Sequence, residues 1–228
     1  MFEIFIIISA IAVTGGKSSD LADSYKDIPI IKINEIQAIG YGAKELYKIK
    51  DSSFIVVSCG TGTACVAYMN NEFEHLGGIS VGGGTLQGLS NILTGISDPK
   101  KIDELALQGS KSNLDVLIGE VVNDIGSLHA DVTASNFSKG RFNTNFKDAD
   151  VESSLSNMIG EVIGTISYLN ALLVGVKKIY FIGKVSLLDS VKDGIDKRLE
   201  LANIEGKYND LRGFGNVIGA IAYLNANT

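Results

Sequence analysis

The sequence predicts an α/β fold in which the sheet contains both parallel and antiparallel strands. Apolar stretches of strand length alternate with segments that carry apolar residues every three or four positions, as in helices packed on a sheet. Two of these stretches are joined by a glycine-rich turn typical of a β-hairpin, whereas others are separated by a helix. Glycine is abundant, with 26 of 228 residues, and proline is scarce, with 2. This composition indicates tight turns and close backbone approach rather than linkers.

In the first half of the chain, each element is predicted from its local pattern. The predicted elements are a strand at residues 4–13, a short buried strand at 28–33, a helix at 35–48, a strand at 54–58, its hairpin partner at 64–69, a short strand at 73–76 and a helix at 86–94. Gly60-Thr61-Gly62-Thr63 forms the hairpin tip. Asp98-Pro99 starts a further helix, because aspartate caps helix ends and proline fits the first turn.

The second half contains the longest periodic segment, residues 151–176, with apolar side chains at helical spacing. Gly160 and Gly164 lie one turn apart in it and would let another backbone approach closely. Because this stripe is longer than one small lobe would cover, we expect the helix to form a homodimer interface. The remaining predicted elements are two short helices and a polar loop at 126–141 before this segment, a strand at 178–182, and helices at 186–201 and 216–225.

The N-terminal stretch, residues 4–13, is apolar and rich in isoleucine. A secretory signal peptide is also apolar, and Ala10-Ile11-Ala12 resembles a cleavage site, but Glu3 stands where a basic residue belongs. The stretch is too short to span a bilayer. We therefore interpret it as a buried strand and expect no membrane association.

Composition and charge argue against several classes of protein. Hydrophobic residues make up 45% of the chain and charged residues 20%, which is typical of a globular protein. The formal net charge is −6, and no basic run is present to follow a nucleic-acid backbone, so we expect no nucleic-acid partner. Two cysteines and two histidines predict neither a disulfide framework nor a metal site, and they favour a cytoplasmic location.

Two glycine-rich loops are the strongest functional signal in the residues themselves. Gly82-Gly83-Gly84-Thr85 opens a predicted helix, where backbone N–H groups and the positive end of the helix dipole suit a phosphate. The hairpin tip at residues 60–63 adds two threonine hydroxyls beside exposed backbone, which also suits an anion. An ordinary tight turn would explain either loop alone. Together, at the ends of strands, they predict an anion-binding cleft.

Other candidate residues have two interpretations each. Glu35 lies where a strand gives way to a helix, so it is either a general base at a cleft or a first-turn carboxylate that stabilises the helix dipole. Cys59 and Cys65 flank the hairpin tip and are better explained as small core residues than as nucleophiles. His75 and His129 are expected at the surface.

These residues resemble a known family. The stretch from Ser58 to Gly95, SCGTGTACVAYMNNEFEHLGGISVGGGTLQGLSNILTG, is similar to the signature region of type II pantothenate kinases. Further matches are AVTGG at residues 12–16, NEIQAIGYGA at 34–43, ADVTASNF at 130–137, IGEVIGTI at 159–166, YFIGKV at 180–185 and GFGNVIGAIAYL at 213–224. The family belongs to the acetate/sugar kinase–actin superfamily, so the resemblance implies a ribonuclease-H-like kinase fold with a mixed sheet.

The resemblance also implies roles for individual residues. Glu35 matches the catalytic general base for the pantothenate hydroxyl. The implied ATP- and phosphate-binding residues are Thr61, Gly83, Gly84, Thr85, Leu86, Gln87 and Lys184. Thr63 and His75 are expected on the substrate side, although the family has an arginine at the position of His75. The family uses ATP and Mg²⁺, forms homodimers and catalyses the first step of coenzyme A synthesis.

The resemblance further implies two lobes, with residues 1–52 as the remainder of an incomplete N-terminal lobe. Residues 53–228 would form the C-terminal lobe with the dimerisation helices, and the last helix is a candidate to pack between the lobes. The family's first phosphate loop, D-x-G-G-T, does not occur in the sequence, and without it we expect poor ATP binding and no detectable turnover of pantothenate. The hypotheses are therefore a pantothenate kinase, a non-catalytic relative that binds nucleotide or a pantothenate-like ligand, and a sugar-kinase-like or actin-like enzyme.

Overall fold

The computed structural model describes residues 8–123 and 129–227. Its first elements are three short strands and a helix: β1 (Ile11–Val13), β2 (Ser24–Tyr25), β3 (Ile28–Lys32) and α1 (Glu35–Tyr47). The strands form a small sheet in which β1 is parallel to β3 and β2 is antiparallel to β3. Helix α1 begins where the Asn34 side chain accepts a hydrogen bond of 2.8 Å from the N–H of Ile36, which is an N-cap contact.

The small sheet confirms two predicted strands, with corrections. The first strand is present over Ile11–Val13, and residues 4–7 of the prediction lie outside the described residues. Strands β1 and β3 are partly exposed rather than buried, because short strands in a small sheet present little surface to cover. Strand β2 was not predicted: it is exposed and polar, and its turn through Lys26 and Asp27 has φ values of 47° and 65° without a glycine.

The described residues after α1 form thirteen strands and helices joined by short turns, and most of them surround one large sheet. In order they are β4 (Phe54–Cys59), β5 (Thr63–Met69), β6 (Glu72–Ile79), α2 (Gly83–Thr94), α3 (Pro99–Ala106), β7 (Val116–Leu117), α4 (Ile118–Val121), β8 (Thr133–Ser135), α5 (Asp148–Val174), β9 (Lys178–Ile182), α6 (Asp189–Leu201), β10 (Glu205–Tyr208) and α7 (Gly215–Asn227). The predicted hairpin is confirmed. The helices predicted to begin at the glycine-rich loop and at Asp98-Pro99 are confirmed as α2 and α3. Asp98 caps α3 by accepting from the N–H of Lys101 at 2.9 Å.

The large sheet is mixed, as predicted. Its strand order is β10-β9-β4-β5-β6. Strand β4 pairs antiparallel with β5 and parallel with β9, and β10 adds a further parallel pair at the edge. The edge strand β10 was not predicted, because Glu-Gly-Lys-Tyr lacks an apolar run and its pairing partner is distant in sequence.

Helices cover both faces of the large sheet. On one face, Ile55, Val57 and Phe181 pack with residues of α5 and α6 in the main core cluster. On the other face, Val56 and Tyr180 pack with residues of α1. Helix α1 therefore lies on the large sheet, although the predicted domain boundary at residue 52 places it in the first lobe. That boundary stays a prediction.

Helix α7 lies against α1 and β1. A side chain at Gly42 would collide with the carbonyl oxygen of Gly215, and one at Gly219 would collide with the carbonyl oxygen of Ala38. Glycine on both helices therefore allows them to cross with their backbones in close approach. The start of α7 is held next to the carboxyl end of β9, because Gly215 packs on Ile182.

The long helix α5 confirms the close backbone approach expected at its two glycines. A Cβ atom at Gly160 would lie 2.9 Å from the Cα atom of Gly194, and one at Gly164 would lie 2.8 Å from the carbonyl oxygen of Ile195. The approaching backbone is that of α6 in the same chain, and the homodimer stays a prediction. By length and composition alone α5 would suit a membrane span, but half of its most apolar window is buried inside the protein.

Candidate functional site

A cleft of about 610 Å³ opens at the carboxyl ends of the parallel strands β4 and β9. The described residues that line it are Ser58, Gly60, Thr61, Gly83, Gly84, Gln87, Gly183, Lys184, Val185, Gly213, Phe214, Asn216 and Val217. Ligands of open α/β sheets bind in crevices at this end of the strands, where loops diverge toward opposite faces. The cleft is therefore the candidate functional site.

The two glycine-rich loops form one unit at this cleft. The N–H of Gly83 donates to the carbonyl oxygen of Gly60 at 2.8 Å, and the N–H of Gly84 donates to that of Thr61 at 2.9 Å. A Cβ atom at Gly82 would lie 2.7 Å from the Thr61 carbonyl oxygen, so a larger residue would separate the loops. The hairpin tip is thus fastened to the first turn of α2.

This contact corrects the predicted phosphate cradle. We expected uncovered N–H groups at the start of α2, but two of them, at Gly83 and Gly84, already donate to the hairpin tip. The positive end of the helix dipole still lies at the cleft, because both glycines line it. The anion-binding capacity of this end therefore rests on the dipole and neighbouring side chains more than on those two N–H groups.

Five of the predicted nucleotide-binding residues line the cleft together: Thr61, Gly83, Gly84, Gln87 and Lys184. The other two face elsewhere. The Thr85 hydroxyl donates to the carbonyl oxygen of Ser80 at 3.0 Å. Leu86 is 1% exposed and belongs to the main core cluster, so its side chain packs α2 on the core instead of contacting a ligand.

Lys184 follows a glycine that the backbone requires. Gly183 has φ of 92°, in the region that favours glycine, and a side chain there would collide with the backbone of Cys59. The N–H of Gly183 donates to the carbonyl oxygen of Arg212 at 2.8 Å. This turn leaves the Lys184 side chain exposed at the rim of the cleft, where an ammonium group would attract phosphate.

The predicted catalytic and substrate residues lie outside the described lining. Glu35 is exposed at the first position of α1. Thr63 is buried and its hydroxyl donates to the carbonyl oxygen of Val81 at 2.8 Å, and its role on the substrate side stays a prediction. His75 is exposed on the edge strand β6, opposite Val66 and therefore on the α1 side of the sheet.

Sequence reasoning missed one wall of the cleft. Gly213, Phe214, Asn216 and Val217 line it from the turn before α7 and from α7 itself. Phe214 is 61% exposed, which is unusual for a large aromatic side chain. An aromatic residue between two glycines is the local signal that would have indicated a ligand-facing turn.

The two cysteines are core residues, as interpreted from the sequence. Both are fully buried and not in a disulfide. Burial raises the pKa of the Cys65 thiol to about 11, and burial together with the neighbouring Cys65 raises the pKa of Cys59 well above its usual range. A thiol held protonated is a poor nucleophile.

Acidic side chains are absent from the described lining of the cleft. Within residues 8–123 and 129–227, no group of three His, Cys, Asp or Glu side chains lies close enough to hold a metal ion. Magnesium sites usually include one or two carboxylates. The described cleft residues therefore offer no protein carboxylate to Mg²⁺.

Comparisons with known proteins agree with one family. Residues 41–188 match the family model described as Fumble. A type II pantothenate kinase of Bacillus cereus (strain AH820) is 31% identical over 235 residues, which cover 95% of this chain and 81% of that protein. A type II pantothenate kinase of Bacillus thuringiensis subsp. konkukian (strain 97-27) is 33% identical over 187 residues, which cover 78% of this chain and 67% of that protein.

Solved structures show the fold. The activator of the 2-hydroxyisocaproyl-CoA dehydratase from Clostridium difficile, with bound ADPNP, has a TM-score of 0.63 at 14% identity, covering 96% of this chain and 74% of that one. A ROK hexokinase from Thermus thermophilus has a TM-score of 0.57 at 10% identity, and the match covers 87% of this chain and 68% of that one. These similarities confirm the kinase-type α/β fold implied by the sequence resemblance. On the identities and coverage of its relatives, the chain belongs to the type II pantothenate kinase family.

Proposed function

We propose that this protein transfers the γ-phosphoryl group of ATP to the terminal hydroxyl of pantothenate, giving 4'-phosphopantothenate and ADP. The observation that carries the proposal is the cleft formed where the hairpin tip, the start of α2 and the Lys184 turn converge. The relatives named as pantothenate kinases support the substrate. The reaction is the first step of coenzyme A synthesis, for which a cytoplasmic location is expected.

ATP occupies the cleft in this proposal. The dipole of α2 and the Lys184 ammonium stabilise the negative charge of the phosphates. Thr61 supplies a hydroxyl donor at the hairpin tip, and Gln87 supplies an amide on the next turn of α2. The exposed ring of Phe214 and the side chain of Val217 offer an apolar wall to the nucleoside.

Glu35 is the proposed general base. Its carboxylate removes the proton from the pantothenate hydroxyl while the hydroxyl oxygen forms a bond to the γ-phosphorus. The bond from that phosphorus to the bridging oxygen breaks, and ADP leaves. Glu35 is at the first position of α1, which packs along α7 with the Gly42 backbone against Gly215 and the Ala38 backbone against Gly219. In this proposal, pantothenate binds beside the first turn of α1, next to nucleotide held by α7 and α2.

The resemblance also implies Mg²⁺. Because the described cleft residues include no carboxylate, they do not fit a protein-bound magnesium ion, and no step above depends on one.

His75 stands at the position of the family arginine. It is proposed to contact substrate from β6.

We also propose a homodimer through α5. Val162, Leu169, Leu172 and Leu173 are exposed on this helix, with Leu173 78% exposed. A groove of about 310 Å³ includes Val162 and Leu169, and its other described lining residues are Ile79, Asn136, Glu161, Thr165, Ile166 and Arg198. Burying such a surface against a second copy would remove it from water.

The test of the proposed function is an assay of ADP release with ATP and either pantothenate or glucose. Turnover of pantothenate alone supports the proposal, and turnover of glucose alone would favour a sugar kinase. Calorimetric binding of ADP without turnover of either compound would favour the non-catalytic alternative. Absence of both binding and turnover would contradict the assignment of the cleft.

A further inference from the structure

Two of the cleft's walls come from segments that are separate in the chain. One wall is Gly183, Lys184 and Val185, which follow β9. The other begins at Gly213, after β10. A cleft built in this way binds tightly only if something fixes the distance between its walls.

Arg212 connects the two segments. Its Nε and Nη2 atoms donate to the carbonyl oxygen of Ser186 at 3.1 and 3.0 Å, and its Nη1 donates to that of Asn209 at 3.0 Å. Its own carbonyl oxygen accepts from the N–H of Gly183 at 2.8 Å. One residue therefore fastens the first wall through both its side chain and its backbone. It is not among the described lining residues.

The two segments also pack closely around the bonds of Arg212. A Cβ atom at Gly213 would lie 2.8 Å from Leu187 Cδ1, and one at the adjoining Gly215 would lie 2.7 Å from the Cβ of Ile182, the last residue of β9. The absence of side chains at these glycines thus lets the second segment lie directly against the side chains of the first and of β9. A small shift between the segments would change the width of the cleft.

The second acceptor of Arg212 is itself anchored to the body of the protein. The N–H of Asn209 donates to the Tyr47 hydroxyl at 2.9 Å, and its Nδ2 donates to the carbonyl oxygen of Leu46 at 3.1 Å. The Tyr47 hydroxyl in turn donates to the carbonyl oxygen of Phe181 in β9. Arg212 therefore spans from the turn after β9 to a loop that is fixed on α1.

We propose that Arg212 is a positioning residue that sets nucleotide affinity by holding residues 183–187 against residues 209–214. This inference rests on the proposed function, because it assigns nucleotide to the cleft. The guanidinium is suited to the role since its planar fork donates to two carbonyl oxygens at once. A lysine ammonium keeps the positive charge but lacks that fixed geometry.

The experiment measures ADP binding by calorimetry on the full chain and on two variants, Arg212→Lys and Arg212→Ala. We expect both variants to raise the Kd for ADP by about tenfold or more, because misplaced binding groups far from the chemistry cost affinity at this scale. In the kinase assay, KM for ATP should rise similarly, with kcat at saturating ATP and KM for pantothenate unchanged. Guanidinium ion, below denaturing concentrations, should partly restore ADP binding to Arg212→Ala. Arg141→Lys, at an exposed arginine outside the described lining, is the matched control.

The outcomes are distinguishable. If the unsubstituted chain binds no ADP, the proposed function fails, and this inference fails with it. If it binds ADP and Arg212→Lys binds equally well, the proposed function stands and the positioning role is overturned, because charge alone is then sufficient. If thermal melting shows that both variants are unfolded, Arg212 maintains the fold rather than the cleft, which also overturns the inference.

Discussion

The N–H of Gly84 donates to the carbonyl oxygen of Thr61 at 2.9 Å, which ties the first turn of α2 to the tip of the β4–β5 hairpin. A second hydrogen bond, from the N–H of Gly83 to the carbonyl oxygen of Gly60, joins the same two loops. Loops that close on each other in this way form a rigid rim, so the Thr61 side chain and the start of α2 are already in place when a ligand binds. This rim depends on the absence of a side chain at Gly82, 2.7 Å from the Thr61 carbonyl.

Replacement of Gly82 by alanine should therefore disrupt the rim. The added methyl would meet the carbonyl oxygens of both Thr61 and Gly60, and overpacking of this kind costs about 1–3 kcal/mol of unfolding free energy. Gly82→Ala should also lower the affinity for ADP, measured by calorimetry.

Gly88 provides the control on the same helix, because a methyl there has no neighbour within 4 Å. Gly88→Ala should raise the unfolding free energy by about 0.5–1 kcal/mol, since alanine is the better helix former. Equal ADP binding by Gly82→Ala and Gly88→Ala would show that the contact between the loops does not matter for the site.

Substitution of Glu35 tests the proposed base. Glu35→Gln should lower kcat by about a hundredfold or more, which is the usual contribution of a general base. ADP affinity should be unchanged, because Glu35 lies outside the described lining of the cleft. Glu45→Gln, at another exposed carboxylate of α1, is the control. Full turnover by Glu35→Gln in the ADP-release assay would remove this residue from the mechanism.

The proposed dimer predicts a specific response to charge on α5. Light scattering should give the mass of a dimer for the unsubstituted chain and of a monomer for Leu173→Asp, because an aspartate would be buried without a partner. Ile92→Asp, at a similarly exposed apolar residue on α2, should remain dimeric. A monomeric unsubstituted chain at micromolar concentration would contradict the proposal.

Asp115 makes the stability of the fold depend on pH. Its side chain is fully buried, and Oδ1 accepts from the N–H of Phe137 at 2.8 Å, whereas Oδ2 has no hydrogen-bond partner among the described residues. Burial raises the pKa of this carboxyl above its usual value. The folded state thus holds the proton more tightly than the unfolded state, so this group lowers stability as pH rises above the unfolded pKa.

Asp115→Asn removes that pH dependence. The unfolding free energy of Asp115→Asn relative to the unsubstituted chain should therefore increase as pH rises from about 3 to about 7. Urea unfolding at a series of pH values measures this difference. A constant difference over that range would show that the carboxyl does not change protonation on unfolding.

Much of the fold and part of the site were predictable because the decisive signals are local. The Asp98-Pro99 start predicted the beginning of α3, and the hydrogen bond to the Asp98 side chain confirms it. The two glycine-rich loops predicted an anion-binding cleft, and Gly60, Thr61, Gly83 and Gly84 line it, whereas Gln87 was implied only by the family resemblance. Lys184 required the family resemblance, since no local pattern marks it.

The second wall of the cleft required the tertiary structure. Phe214 and Val217 become cleft residues only because β10 pairs parallel with β9 and returns the chain to the same end of the sheet. The polar sequence of β10 carries no periodic signal for that pairing.

The sequence by itself determined the order of the main strands and helices other than β2 and β10, the hairpin with its glycine tip and the Asp98-capped start of α3. These depend on backbone preferences and on the burial of residues close together in the chain. The tertiary structure alone decided which segment packs against each of these glycines. Helix α6 packs against Gly160 and Gly164, and the hairpin tip packs against Gly82. A glycine in the sequence indicates only that another segment can approach its backbone closely. Which segment does so is decided by the packing of the whole core.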